Sequence, residues 1–385
     1  MKIININNHT RLSNTSIVKF LISAVVIFGL LGCGGGGGGS TNTPIPPVVT
    51  DATLTETLNN YLNDNQSASN PGLAIVVRKG GEIVYQSSKG LANRADNLAI
   101  NPNTRFRTGS VTKPMTAIAI MQLVEQGLLS VDNKLLDHIP ELAGEYADVT
   151  IHQLLTHQSG ISDFINEVDD MTIFNNVTTS AFIDLNSLFN VLNFEPGTQG
   201  RYSNTGYVLL AVIVERVTGL SFPDYMAANV FSVLGMNDSY VMSEAHQLGE
   251  FGAPTALNYA NTTTSFNFNL LIYGASNVIS TIEDMTLFVD GWMSHTLVSE
   301  ATQQLMLQSN GVITNIGNYG YGWITGQGRH NYTANDYWHT GGFDGYASLV
   351  YFSPDDDLVI TVLSNGGETT RGHINNMVQL VRAFN

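Results

Sequence analysis

Cysteine is nearly absent: Cys33 is the only one in 385 residues, which excludes a disulfide framework within the chain. Cations are scarce as well. The 16 Lys and Arg stand against 32 Asp and Glu, a formal net charge of −16 in a chain only 12% charged. Such a surface favours solubility and lacks the basic face that nucleic acid or an anionic lipid surface requires, so no nucleic-acid partner is expected. Two catalytic signatures are also missing. No GxSxG occurs, which removes the α/β-hydrolase nucleophile elbow. His138, His152 and His157 form neither HExxH nor another compact ligand set, so they read as structural, with His157 hydrogen-bonded within its own loop, and no metal or cofactor is expected. The hydrophobic run Phe20 to Leu31 has twelve residues, too short to span a bilayer unaided.

That run has a different use. Lys2, Arg11 and Lys19 precede or adjoin it with no acidic residue, and Leu30-Leu31-Gly32-Cys33 closes it. Residues 1–32 thus resemble a bacterial lipoprotein signal, in which Cys33 is acylated and becomes the new N-terminus; a plain secretory signal or an uncleaved anchor is the alternative. Losing the three cations takes the formal charge from −16 to −19. Residues 33–50 carry Gly34 to Gly39 and then Pro44, Pro46 and Pro47, a flexible piece leading into a stiffer one, and read as a tether. The expected localisation is the bacterial cell envelope, with lipid on Cys33 as the whole membrane attachment. Gly34 after Cys33 resembles outer-membrane sorting.

Residues 51–385 are long enough to bury a sizeable core and show no internal repeat. Thr53 to Leu62 has helical spacing, and Leu73 to Val77 with Glu82 to Tyr85 form a hairpin around Gly80-Gly81. A second hairpin joins Tyr346 to Phe352 and Leu358 to Leu363 around Pro354 to Asp357, whose aspartates read as a solvated turn. Ile374 to Phe384 is a closing helix. Between the hairpins the pattern is helical over Ile151 to Thr156, Phe182 to Leu192, Gly206 to Val217, Phe222 to Leu234 and Thr281 to Trp292, the last with a capping box of Ser280 and Glu283. Strands at both ends and helices between them predict one antiparallel sheet closed by the two chain ends, with a helical region inserted and a cleft between.

Ser110 sits at the start of a helical pattern (Met115, Ile118, Ala119, Leu123), with Lys113 three residues on. At that spacing their Cβ atoms lie about 5–6 Å apart, so the amine reaches the serine oxygen. The helix N-terminus also favours negative charge at the hydroxyl. Ser-x-x-Lys is weak evidence alone, since Ser16 to Lys19 also matches, and Tyr-x-Asn recurs at Tyr61 and Tyr259. The order is what counts. Ser110-x-x-Lys113, Tyr202-Ser203-Asn204 and His339-Thr340-Gly341-Gly342 follow one another at long spacings, each at an element boundary.

In that order the motifs resemble the serine β-lactamase and penicillin-binding superfamily, in particular the branch of class C β-lactamases, D,D-peptidases and related esterases. The likeness covers nearly all of residues 70–385, including Leu154 to Gly160, Glu195-Pro196-Gly197 and Tyr319 to Trp323. It implies an α+β fold: an antiparallel sheet of five or more strands flanked by helices, with an inserted all-helical lobe and the site between. It also implies roles. Ser110 attacks a carbonyl, and Lys113 with Tyr202 removes and returns its proton, either as an amine base or through a Tyr202 phenolate; both assignments stay open. The N–H groups of Ser110 and Gly342 form the oxyanion hole. Asn204, His339, Thr340 and Gly341 bind substrate, the first at its amide or ester side chain and the His339-Thr340 pair at its carboxylate end. Most β-lactamases have lysine at the position of His339, and a largely uncharged histidine favours peptidase or esterase work. The expected function is therefore a serine hydrolase of D,D-carboxypeptidase, D-amino-acid peptidase or esterase type acting on a small-molecule or peptide substrate. The alternatives are a true β-lactamase and a non-catalytic, lipid-anchored binding protein. Oligomeric state is left open.

Overall fold

The structure is a computed structural model that describes residues 51–142, 144–167, 182–184, 192–242, 273–326, 332–343 and 345–384. The signal segment, the tether and Cys33 lie outside the described residues. So do most of the expected helix Phe182 to Leu192 and most of the two irregular segments between residues 162 and 190 and between 244 and 268.

In chain order the elements that build the site are α1 (Asp51–Asn65), β1 (Leu73–Lys79), β2 (Glu82–Lys89), β3 (Phe106–Arg107), α2 (Thr112–Glu125), α3 (Ile151–Leu155), α4 (Asn204–Thr218), β4 (Tyr240–Val241), β5 (Val278–Ser280), α5 (Ile282–Met293), β6 (Ile324–Thr325), β7 (Tyr337–Phe343), β8 (Tyr346–Ser353), β9 (Leu358–Ser364) and α6 (Glu368–Arg382). Six strands form one sheet in the order β6-β7-β8-β9-β1-β2. The pairing expected between N- and C-terminal segments is present: β1 runs antiparallel to β9, Leu73 opposite Ser364 and Lys79 opposite Leu358.

The side chains of this sheet alternate between two cores, as the two-residue period of a strand requires. Leu73, Ile75 and Val77 of β1, Leu349 and Tyr351 of β8, and Ile360 and Val362 of β9 pack on one face with Leu54, Leu58 and Leu62 of α1 and Ile374, Met377 and Val381 of α6. Ala74, Val76, Val350, Phe352 and Leu363 face the other way, into the larger core of the helical region, with Met115 and Ile118 of α2, Leu209 and Ile213 of α4, and Phe288 and Trp292 of α5. At about 1.5–3 kcal/mol for each large apolar side chain fully buried, these two layers supply the driving force that holds sheet and helices together. The fold is α+β, an antiparallel sheet flanked by helices with a helical region inserted.

Several details differ from expectation: the closing helix α6 begins at Glu368 rather than Ile374. The cap of α5 is Thr281, whose side chain accepts from Asp284 N at 3.1 Å, rather than Ser280. The Ser280 hydroxyl is instead paired with Ser239 at 2.7 Å. The run expected as one helix over Phe222 to Leu234 contains a π-helical turn, Ala227–Phe231, between two short α-helical pieces.

Candidate active site

Ser110 lies in a 3₁₀ turn, Gly109–Val111, that leads straight into α2. Ser110 is not the capping residue of either piece, the N-caps being Thr108 and Val111, and its hydroxyl faces Lys113 instead. The turn is pinned on both sides. Thr108 N and Oγ1 both donate to Val278 O of β5, each at 3.0 Å, and Val278 N donates to Thr112 Oγ1 at 3.1 Å. From the sheet side, Ser348 Oγ of β8 donates to Thr108 O at 2.6 Å.

Glycines make the last approach possible. Gly109 has φ +55°, and a Cβ there would stand 2.8 Å from Gly342 N. A Cβ on Gly341 would stand 2.0 Å from Thr108 O. Side chains at either position would push β7 away from the turn, and with it the Gly342 amide from the neighbourhood of Ser110. This accounts for the first of the two glycines after His339-Thr340; at the second, Gly342, a Cβ would instead stand 2.6 Å from Arg371 Nη2.

Lys113 is completely buried on the first turn of α2 and donates to Ser110 Oγ at 3.3 Å, Asn204 Oδ1 at 2.8 Å and Ala275 O at 2.9 Å. Burial lowers its pKa to about 7, with Asp163 opposing the shift. Burial drives the Tyr202 pKa well above 10, with the neighbouring Ser110 side chain opposing the shift. Lys113 Nζ lies 4.6 Å from the centroid of the Tyr202 ring. The serine oxygen therefore stands between an amine that is partly neutral at neutral pH and a phenol that keeps its proton.

The expected motif residues converge here, but not all as expected. Asn204, first residue of α4, is buried; its amide faces Lys113 on one side and donates to Asp163 Oδ2 at 2.9 Å on the other. Its side-chain groups are engaged beneath the cleft instead of lining it. The cleft itself is lined by Ser110, Tyr202, Ile316, Ile324, His339, Thr340, Gly342 and Arg371. His339 differs most. Its Nδ1 faces Thr340 O at 2.7 Å and its Nε2 faces the Tyr319 hydroxyl at 3.0 Å. A carbonyl only accepts, so Nδ1 carries the proton and Nε2 accepts from Tyr319. Burial and the nearby Lys113 lower the His339 pKa to about 3. It is a neutral wall residue and supplies no cation for a carboxylate.

Two residues were not singled out by motif. Arg371 of α6 lies over Gly342, where a Cβ would come within 2.6 Å of its guanidinium, and it is the cation among the described residues lining the cleft. Asp163 holds Asn204. His157 bonds within its own segment as expected, its N donating to Leu154 O at 3.3 Å, and it also serves the neighbouring one: its Nδ1 accepts from Ser203 N at 3.1 Å and its carbonyl from Arg201 N at 2.9 Å. Its ring packs 4.4 Å from that of Tyr202. Tyr321, Trp323 and Trp338, expected in the sheet or the cleft wall, are buried in the two cores.

A Beta-lactamase family model matches residues 58–383. The chain belongs to the Beta-lactamase family. Within it, Penicillin-binding protein 4* of Bacillus subtilis is 27% identical over 321 residues, covering 77% of this chain and 68% of that protein. The solved penicillin-binding protein of Bacillus halodurans is 28% identical with a TM-score of 0.72, covering 85% of this chain and all of that one (100%). The D-amino acid amidase of Ochrobactrum anthropi, 19% identical with a TM-score of 0.69 over 87% of this chain and 97% of its own, shares the fold. The sheet, the helical region and the cleft between them are those of the Beta-lactamase family, and this member is a serine hydrolase.

Proposed function

We propose that the chain hydrolyses amide bonds through an acyl-enzyme on Ser110, as a D-amino-acid carboxypeptidase acting on peptides that end in a free carboxylate. The observation that carries this reading is Ser110 Oγ, 3.3 Å from the buried Lys113 amine and lining the cleft together with Tyr202. With Lys113 near neutrality and Tyr202 held as a phenol, the amine takes the proton as Ser110 Oγ adds to the substrate carbonyl. The new oxyanion faces the N–H groups of Ser110 and Gly342. When the tetrahedral adduct collapses, the leaving amine receives a proton from Tyr202, which is replenished from the Lys113 ammonium. Water then adds to the acyl group by the same proton transfers in reverse and leaves the acid and free Ser110.

Substrate choice follows from the lining. Arg371, which lines the same cleft as Thr340 and is ion-paired with Glu368 at 2.9 Å, offers a site for a carboxylate, the task that the neutral His339 cannot perform. Ile316 and Ile324 form an apolar wall. Relatives that bear the name penicillin-binding protein support acylation by a cyclic amide as well. Cys33, ahead of the family match that begins at residue 58, is proposed as the lipid anchor to the cell envelope; membrane fractionation of Cys33→Ser tests it, and a variant still wholly in the membrane fraction would refute it.

The test of the activity is a time course of intact mass for the full-length chain and Ser110→Ala with benzylpenicillin, run beside hydrolysis of a peptide ending in D-alanyl-D-alanine and its C-terminal amide. A lasting adduct on the parent alone, with the free-acid peptide preferred, is the expected result. Drug consumption without an adduct would mean a β-lactamase. Equal cleavage of acid and amide would remove Arg371 from carboxylate recognition.

A further inference from the structure

Asp163 is a buried carboxylate to which the chemistry above gives no task. It precedes a short helical turn, Phe164–Glu167, and faces the N-terminus of α4. Three N–H groups donate to its side chain: Asn204 N at 3.2 Å and Asn204 Nδ2 at 2.9 Å to Oδ2, and Ile165 N at 3.3 Å to Oδ1. All three are donors, which suits the ionised form. The segment is fastened to the same helix a second time, because Phe164 N donates to Thr205 Oγ1 at 2.9 Å. Lys113 can only donate and an ionised Asp163 can only accept, so the Asn204 amide between them has a single orientation. Rotated by half a turn, it would turn its NH₂ to Lys113 and lose both bonds.

We propose that Asp163 is a positioning residue for the nucleophile: through Asn204 it holds the Lys113 amine beside Ser110, and its negative charge sets the balance between amine and ammonium there. The inference rests on the reading of Lys113 as the base. Burial disfavours the charge on both partners, and each opposes that effect on the other. The remaining titratable groups around Lys113 are Tyr202, Tyr207, His157 and His339, from the loops and elements packed against it. Burial holds the two phenols protonated and the two imidazoles neutral near pH 7. The N-terminus of α4 adds the positive end of a helix dipole. Asp163 is thus the negative charge in this group of described residues.

The full-length chain carrying ¹³Cε-labelled lysine is titrated by NMR in detergent, with the Lys113 resonance assigned by its loss in Lys113→Met. Asp163→Asn keeps an acceptor for Asn204 and removes the charge, so the Lys113 midpoint falls by about one unit. Labelling of Ser110 by a fluorophosphonate stays within about threefold of the parent in Asp163→Asn and drops at least about tenfold in Asp163→Ala, which loses the grip on Asn204 too. An unmoved Lys113 midpoint in Asp163→Asn overturns the proposal, as do Asn and Ala variants that label equally slowly. Should neither variant fold, Asp163 itself is titrated with ¹³Cγ-labelled aspartate in the parent and Lys113→Met. Its midpoint rises when the cation is removed, and no rise overturns the proposal. Undiminished labelling of Lys113→Met would instead refute Lys113 as base, and the two titrations would still decide the coupling.

Discussion

A lysine amine with no exposed surface is the most consequential single group in the molecule. Its pKa is lowered from 10.5 to about 7, chiefly by burial. In the unfolded chain it regains its ordinary value, so between about pH 7 and 10.5 the unfolded state binds a proton that the native state does not. Stability therefore rises with pH across that window and is least below it. Urea unfolding at pH 6.5 and 9.5 should show this as a rise of a few kcal/mol, on the order of what a shift of this size implies. Lys113→Met should lose that component, and parallel curves for parent and variant would show that the amine does not titrate in the window. Tyr202 and His339 can be ranked in the same way. Tyr202→Phe removes a hydroxyl beside Ser110 in the cleft, while His339→Ala removes a neutral wall residue. The tyrosine variant should lose at least as much activity, about 10²–10⁴-fold for an acid–base group; kcat values in the reverse order would show that the roles are exchanged. Ser110, Lys113 and Tyr202 were legible because each belongs to a short motif at an element boundary. Asp163 and Arg371 were not. Each is one charged residue among many in the sequence, and each acquires meaning only from a partner far along the chain, Asn204 in one case and Gly342 in the other.

Among the elements, the turn before α2 and strand β7 must be considered together, because backbone packs on backbone at Gly109–Gly342 and Thr108–Gly341. Gly109→Ala places a Cβ where φ is +55° and the Gly342 amide is 2.8 Å away. We expect a stability loss of about 1–3 kcal/mol for the forced conformation. The rate loss should be larger, about 10²–10³-fold in kcat, as for removal of one oxyanion donor. Thermal unfolding and steady-state kinetics on the same preparation separate the two effects; a variant with parental kcat would mean that the Gly342 amide takes no part. The sequence pattern located these elements well and their ends less well. Thr281 and Ser280 are both good caps, and which one serves depends on Ser239, which engages the Ser280 hydroxyl. The π-helical turn at Ala227–Phe231 leaves the apolar periodicity nearly intact, so hydrophobic spacing alone cannot reveal it.

For the whole molecule, the joining of both chain ends in one sheet was readable from two hairpins at opposite ends, because unpaired strand edges need partners. Strand β1 lies between β2 and β9, and Ser364 Oγ donates to Gly72 O across 292 residues of sequence. Removing residues 1–50 should leave cooperative unfolding unchanged, whereas ending the chain before β9 should abolish it, since the central sheet would then be split between β8 and β1. Circular dichroism melts of both truncations check this; a cooperative melt from the chain without β9 and α6 would contradict it.

The nucleophile turn illustrates what such closure means for the life of the chain. Thr108 receives its bond from Ser348, 240 residues later, and the Gly342 amide also arrives late. A ribosome therefore delivers the serine and its lysine long before it delivers the strand against which they must lie. Until β7 and β8 have emerged there is no assembled site, so a chain delivered only as far as α5 holds the serine and its lysine without the strand that completes them.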